Sequence, residues 1–207
     1  ASAIEKLRFS AYKLEKDIVL FSEPAEKFKR VILYIIISSP PAFLQKQEKG
    51  PADVFSLTHR CASGGADCIQ LRAKGIEDDK LFAIAVEFVQ ICKAAGVLSI
   101  INDRADVAVA AGADGVHLGQ NDLPVEQARR LQLSPLIIGK STHSLEQLRV
   151  ACEQSPTYVS LGPIFATATK PTAEPVGLGY VKRAAERLAG TGIGNVAVGG
   201  ITLDNVE

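Results

Sequence analysis

The sequence predicts an α/β protein built on a (β/α)₈ barrel, and three observations carry that prediction. From residue 31 onward, short, continuously apolar runs rich in β-branched residues alternate with amphipathic helical patterns. Polar and charged residues gather just past the ends of successive runs, where a parallel barrel presents its working face. No GxGxxG or GxxxxGK[ST] follows the first run, which weakens a Rossmann or P-loop reading.

The strand candidates are 31–37, 67–72, 97–102, 115–119, 136–140, 158–162 and 195–199. Between the second and third, Leu81, Ile84, Ala85, Phe88, Val89 and Cys92 follow helical spacing, and Gly96 supplies a stop. Ser144 and Gln147 form a capping-box pattern ahead of another helix, and a further helix runs up to Gly190. "GGADCIQL" and "AGADGVHL" repeat one helix-to-strand joint, as serial βα units would.

Residues 1–30 differ. Ile4, Leu7, Ala11, Leu14, Ile18 and Phe21 make an amphipathic seam ended by Pro24. It reads as a helical extension packed on the barrel, or alternatively as a dimerisation or partner helix giving a homo-oligomer. Residues 31–207 read as the barrel domain, incomplete at its C-terminus. Seven strands and a start of a helix after Thr202 imply that the natural chain continues by about 30 residues, one more βα unit.

Composition limits the rest. The chain has 207 residues, 47% of them apolar, with a mean hydropathy of +0.14. This fits one globular domain with a sizeable core. Lys plus Arg and Asp plus Glu balance at 23 each, which argues against a broad nucleic-acid surface. The longest apolar run, "VILYIII", is too short to span a bilayer, and no signal peptide is seen. Cys61, Cys68, Cys92 and Cys152 form no CxxC and read as buried free thiols of a reducing, cytoplasmic compartment. Met is absent and the first residue is Ala, as in a processed or truncated chain.

The strand ends supply candidate site residues. The second offers Gln70, Arg72 and Lys74, on one face if the strand persists. The third offers Asn102 and Asp103, and the fourth His117 and then Asp122. The fifth leads into Ser141, Thr142 and His143, and the sixth into Thr167, Thr169 and Lys170. The seventh ends in Gly199 and Gly200. Arg72, Lys74 and Lys170, with Ser141 and the threonines, suit a phosphate or diphosphate. Gly199 and Gly200 allow close backbone approach to a second anion. Asp103 and Asp122 are hard oxygen ligands of the kind Mg²⁺ takes beside substrate phosphates. His117 and His143 lack companions at zinc spacing and read as hydrogen-bonding wall residues.

Each signal has an ordinary alternative. Arg72 and Lys74 could be surface charges. Asp122 could cap a helix starting at Pro124, and Asp103 could be an N-cap or a local ion-pair partner of Arg104. The two glycines could form a plain turn.

Together, "QLRAK", "INDRADVAVAAGADGVHLGQNDLP", "IIGKSTHS", "LGPIFATATK" and "VAVGGIT" strongly resemble the thiamine-phosphate synthase family, in order, over about residues 64–207. The resemblance implies a (β/α)₈ barrel enzyme that joins hydroxymethylpyrimidine diphosphate to thiazole phosphate and releases diphosphate. It implies small-molecule substrates, with no nucleic acid and no membrane. By motif, Gln70, Arg72, Lys74, Asn102, Ser141 and Lys170 would contact the pyrimidine diphosphate, with Arg72, Lys74, Lys170 and Ser141 acting in catalysis. Asp103 and Asp122 would hold Mg²⁺. Thr167 and Thr169 would line the thiazole phosphate site, Gly200 would grip its phosphate, and His117 would stand on the substrate wall. The implied mechanism is dissociative, through a pyrimidinylmethyl cation, and needs no side-chain nucleophile.

The first strand departs from the pattern, because "YIIISSPPA" lacks the family's acidic residue. A related thiazole tautomerase is the alternative enzyme. A non-catalytic barrel that binds a phosphate ligand is the alternative of another class.

Overall fold

A computed structural model describes residues 23–39, 53–131, 135–167 and 173–206. Seven strands form one parallel sheet in sequence order: β1 (Tyr34–Ser39), β2 (Cys68–Ala73), β3 (Leu98–Asn102), β4 (Gly115–Leu118), β5 (Ile137–Thr142), β6 (Tyr158–Leu161) and β7 (Gly194–Ala197). Helices alternate with them: α1 (Val54–Ser63), α2 (Asp78–Ala95), α3 (Ala105–Ala111), α4 (Val125–Leu131), α5 (Leu145–Glu153) and α6 (Gly177–Leu188). All seven expected strands are present, with ends moved by up to three residues. The sheet is a curled, open barrel, in which β1 and β7 are the unpaired edges among the described strands.

The two faces separate the two environments of each strand. Outward residues Ile69, Leu71, Ile101, Val116, Leu118 and Ile138 are almost wholly buried in one core with Phe88, Ala85 and Leu81 of α2. These strands therefore read as continuous apolar runs, since the face away from the helices is also enclosed. Inside the curl, Cys68, Ile100, Ile137 and Tyr158 form a separate cluster with Phe28.

Phe28 lies in a helical segment, 23–28, and its ring stacks on Tyr158 with centroids 4.1 Å apart. Pro24 sits inside this segment. The seam from Ile4 to Phe21 lies outside the described residues. Tyr158 fits because Gly139 faces it on β5: a Cβ there would come within 2.2 Å of the ring.

The repeated Gly-Ala-Asp joint has a structural reason. Asp67 accepts hydrogen bonds from the Ile32 and Leu33 amides, and its carbonyl accepts from Leu98 N. Asp114 accepts from the amide and hydroxyl of Ser99, and its carbonyl accepts from Ile137 N. Each Asp thus ties its strand to the strand before it with the carboxylate and to the strand after it with the carbonyl. Backbone donors that a strand end would leave unpaired are satisfied.

Local caps follow the sequence closely. Gly96 closes α2 in the left-handed conformation. Ser144 caps α5 by accepting from Gln147 N, but Gln147 accepts from His143 N, one residue before the expected Ser144 amide. The helix before Gly190 ends at Leu188. Residues 203–205 form a turn, with Asn205 accepting from Thr202 N, where a helix start is expected.

All four cysteines are free thiols. Cys68 and Cys92 are buried, and burial pushes the Cys92 thiol up to about 12. Cys61 and Cys152 are only half-buried, which corrects the expectation of four buried thiols. Among the described residues, no helix is long and apolar enough to cross a membrane.

Candidate active site

Alternation along a strand sends every second side chain into the barrel. On β2 this selects Gln70 and Arg72, on β3 Asn102, on β4 His117, on β5 Ser141 and on β6 Tyr158 and Ser160. The polar residues of the C-terminal strand halves thus share one interior, above the aromatic floor.

The loops after β3 and β4 bring two carboxyl groups together. Asp103 adopts φ 65°, a left-handed backbone that Asp tolerates better than most side chains. Its amide donates to the His117 carbonyl at 2.8 Å, which anchors the turn to β4. Its carboxylate pairs with Lys74 Nζ at 2.8 Å and hydrogen-bonds the carboxyl of Asp122. Burial favours the neutral form of both acids. Lys74 and the bond from Asp122 overcome this at Asp103 and hold it below the usual carboxylate range. Asp122, half-buried and bonded to Asp103, is pushed up, so of the two acids it is the first to take up a proton as pH falls.

The alternatives open at the sequence level are settled here in part. Asp122 accepts from the amide of Gly119 at 2.6 Å, within its own loop. Asp103 is not the residue before α3; that is Arg104, which pairs with Asp106 and Asp78 and not with Asp103. Arg72 and Lys74 sit at the end of β2, with Lys74 turned onto the acidic pair.

Beneath this rim, buried polar groups form a connected set. Gln70 Nε2 donates to Tyr34 Oη at 2.7 Å, and Tyr34 Oη lies 2.7 Å from Tyr158 Oη. Tyr158 Oη lies 3.0 Å from His117 Nδ1, and His117 Nε2 lies 2.9 Å from Ser141 Oγ. His143 is separate: its ring reaches the Gly162 carbonyl beside α5. Both histidines are hydrogen-bonded, as expected.

Lys140 escapes sequence reading. It is buried on the outer face of β5 and donates from Nζ to the Gly119 carbonyl at 2.6 Å, under the loop that carries Asp122. Burial lowers its pKa, opposed by the charge of Asp122. Gln120 also braces this loop, donating to the Ser141 carbonyl at 2.5 Å. Tyr34 and Tyr158 escape as well, because each sits in an apolar run and only the curl of the sheet joins them.

At the far edge, the loop after β6 docks on the end of β7. Ile164 N donates to Val198 O, and Phe165 N donates to Gly199 O at 3.0 Å. Gly200 has φ 67°, and a Cβ there would stand 2.5 Å from the Ala166 carbonyl and 2.7 Å from Phe165 Cβ. Only glycine fits that close approach. Thr167 is half-buried at the end of this loop. Thr169 and Lys170 lie outside the described residues.

Asp103 and Asp122 suit a hard divalent cation. Two carboxyls brought together, with Lys74 against one of them, are hard oxygen donors that a cation would draw on. Among the described residues, no third His, Cys, Asp or Glu joins them as a metal cluster. A Mg²⁺ ion held by two carboxylates would complete its shell with water and substrate phosphate.

Comparisons with known proteins show the family. A family model described as thiamine monophosphate synthase matches residues 42–207. The whole chain is 36% identical to thiamine-phosphate synthase of Prochlorococcus marinus (strain MIT 9313), and the match covers 57% of that protein. It is 38% identical over 175 residues to the Thermus thermophilus protein of the same name, covering 84% of this chain and 80% of that one. A solved thiamine phosphate pyrophosphorylase from Pyrococcus furiosus superposes with a TM-score of 0.69 at 31% identity, over 84% of this chain and 78% of that one. The chain thus spans just over half the length of the Prochlorococcus relative and most of the Thermus one. On these matches, the chain belongs to the thiamine monophosphate synthase family.

Proposed function

We propose that this barrel condenses hydroxymethylpyrimidine diphosphate with thiazole phosphate to give thiamin phosphate and diphosphate. The observation that carries the reading is the Asp103–Asp122 carboxyl pair with Lys74 against it, at the same mouth as Gln70, Asn102 and Ser141. The names of the similar proteins support the same reaction.

Asp103 and Asp122 would hold Mg²⁺, which when bound supplies positive charge to a leaving diphosphate. Arg72, Lys74 and Lys170 would bind the diphosphate oxygens, and their effect grows as negative charge builds on them. Ser141 would add a hydroxyl at the same oxygens. Gln70, Asn102 and His117 would orient the pyrimidine, so that its methylene carbon, once the C–O bond has broken, meets the thiazole nitrogen. Thr167, Thr169 and the backbone at Gly200 would seat the thiazole phosphate. Water would trap a pyrimidinylmethyl cation as the alcohol, so the thiazole nitrogen must be in place when the C–O bond breaks.

The test is product formation from the two substrates with and without Mg²⁺. Thiamin phosphate made only with the metal supports the reading. Binding of both substrates without turnover would replace it with the non-catalytic one.

A further inference from the structure

The buried polar set beneath the mouth has a direction. Gln70 Nε2 is a donor only, so Tyr34 Oη accepts from it at 2.7 Å. Tyr34 then has its own proton to place, and Tyr158 Oη is the acceptor within reach, at 2.7 Å. Tyr158, having accepted, passes its proton to His117 Nδ1 at 3.0 Å. The reverse order would leave the Tyr34 proton without an acceptor in a buried site, at a cost comparable to a lost hydrogen bond. Burial pushes both phenols far above their ordinary range, so both keep their protons at neutral pH. With Nδ1 accepting, the ring proton sits on Nε2 and points at Ser141 Oγ, 2.9 Å away, with Ser160 Oγ farther at 3.4 Å. The Ser141 oxygen is then an acceptor from within, and its own proton is left for the mouth.

We propose that the chain Gln70→Tyr34→Tyr158→His117→Ser141 fixes His117 as the neutral Nε2–H tautomer and makes Ser141 a directed donor to anionic oxygen at the mouth. Tyr34 and Tyr158 are positioning residues, since they act through His117. A plain packing role for Tyr158 would need its ring and not its hydroxyl. The role of Ser141 at the substrate rests on the function proposed above, whereas the tautomer does not.

The protein has three histidines, so nitrogen NMR with single His variants assigns each ring. In the ligand-free protein at neutral pH, His117 should show Nδ1 unprotonated and Nε2 protonated. The opposite tautomer overturns the chain's direction, whatever the activity. Tyr158→Phe keeps the ring stacked on Phe28 and removes one oxygen. It should give mixed tautomer signals for His117 and lower kcat about tenfold, with KM changing much less. In a Ser141→Ala background the same change should have almost no further effect on kcat. An unchanged His117 signal, or equal kcat losses in both backgrounds, reduces Tyr158 to packing and sinks the proposal. If the tautomer is as stated and no thiamin phosphate forms, the synthase reading fails and the tautomer assignment stands.

Discussion

The arc from β2 to β5 and the edge at β7 are built by different means. On the arc, both strand faces are buried, helices cover the outside, and the site is made of side chains: Gln70, Asp103, His117, Ser141. After β7 the site feature is backbone, the left-handed pair Gly199 and Gly200. The difference shows where precision comes from. A strand locked on two faces can aim a side chain, whereas a turn with a docked loop offers shape through its backbone.

Substitutions on either side break or sharpen that contrast. The largest effect falls on the arc's chemistry. Asp103→Asn tolerates the left-handed backbone but removes a charge, and kcat/KM should fall by about 10²–10³-fold with a weakened Mg²⁺ dependence. A wild-type Mg²⁺ titration would remove Asp103 from the metal site. Next, Leu71→Ala should destabilise by about 3 kcal/mol in denaturant unfolding, because it leaves a cavity between β2 and its helices. Val196→Ala on β7, only half-buried, should cost about 1 kcal/mol; equal losses would mean the edge is as tightly packed as the arc.

Gly200→Ala tests the backbone cradle. The new Cβ would crowd the Ala166 carbonyl, so KM for thiazole phosphate should rise about tenfold while KM for the pyrimidine diphosphate holds. A shared rise in both would mean the loop serves the whole mouth. The smallest effect is Ser144→Ala, which removes the α5 cap and should cost about 1 kcal/mol of stability with kcat unchanged. A change in kcat would tie that helix end to the site.

Much of the candidate site was legible because strand ends in a parallel barrel converge whatever their separation in sequence. Gln70, Asp103, His117, Asp122 and Ser141 could be found by looking for polar residues after apolar runs. Lys140 could not: it sits inside such a run, on the outer face, and the Gly119 carbonyl and the nearby Asp122 carboxyl explain a buried ammonium there. Nor could the split between the acids. "IIND" and "GQND" look alike, yet Lys74 stands against Asp103 and holds it below the usual carboxylate range, whereas Asp122 is pushed up.

The sequence by itself determined the βα alternation, the strand count over the described residues and the family. Each of these rests on local periodicity or on contiguous motifs, which need no partner to be read. Only the tertiary structure decided which polar groups meet. Tyr34 and Tyr158 are 124 positions apart, and their 2.7 Å contact exists because the sheet curls until β1 and β6 face across one interior. The hydrogen-bond partners and the opposite shifts of the two acids are set by such long-range neighbours, and no spacing within a strand encodes them.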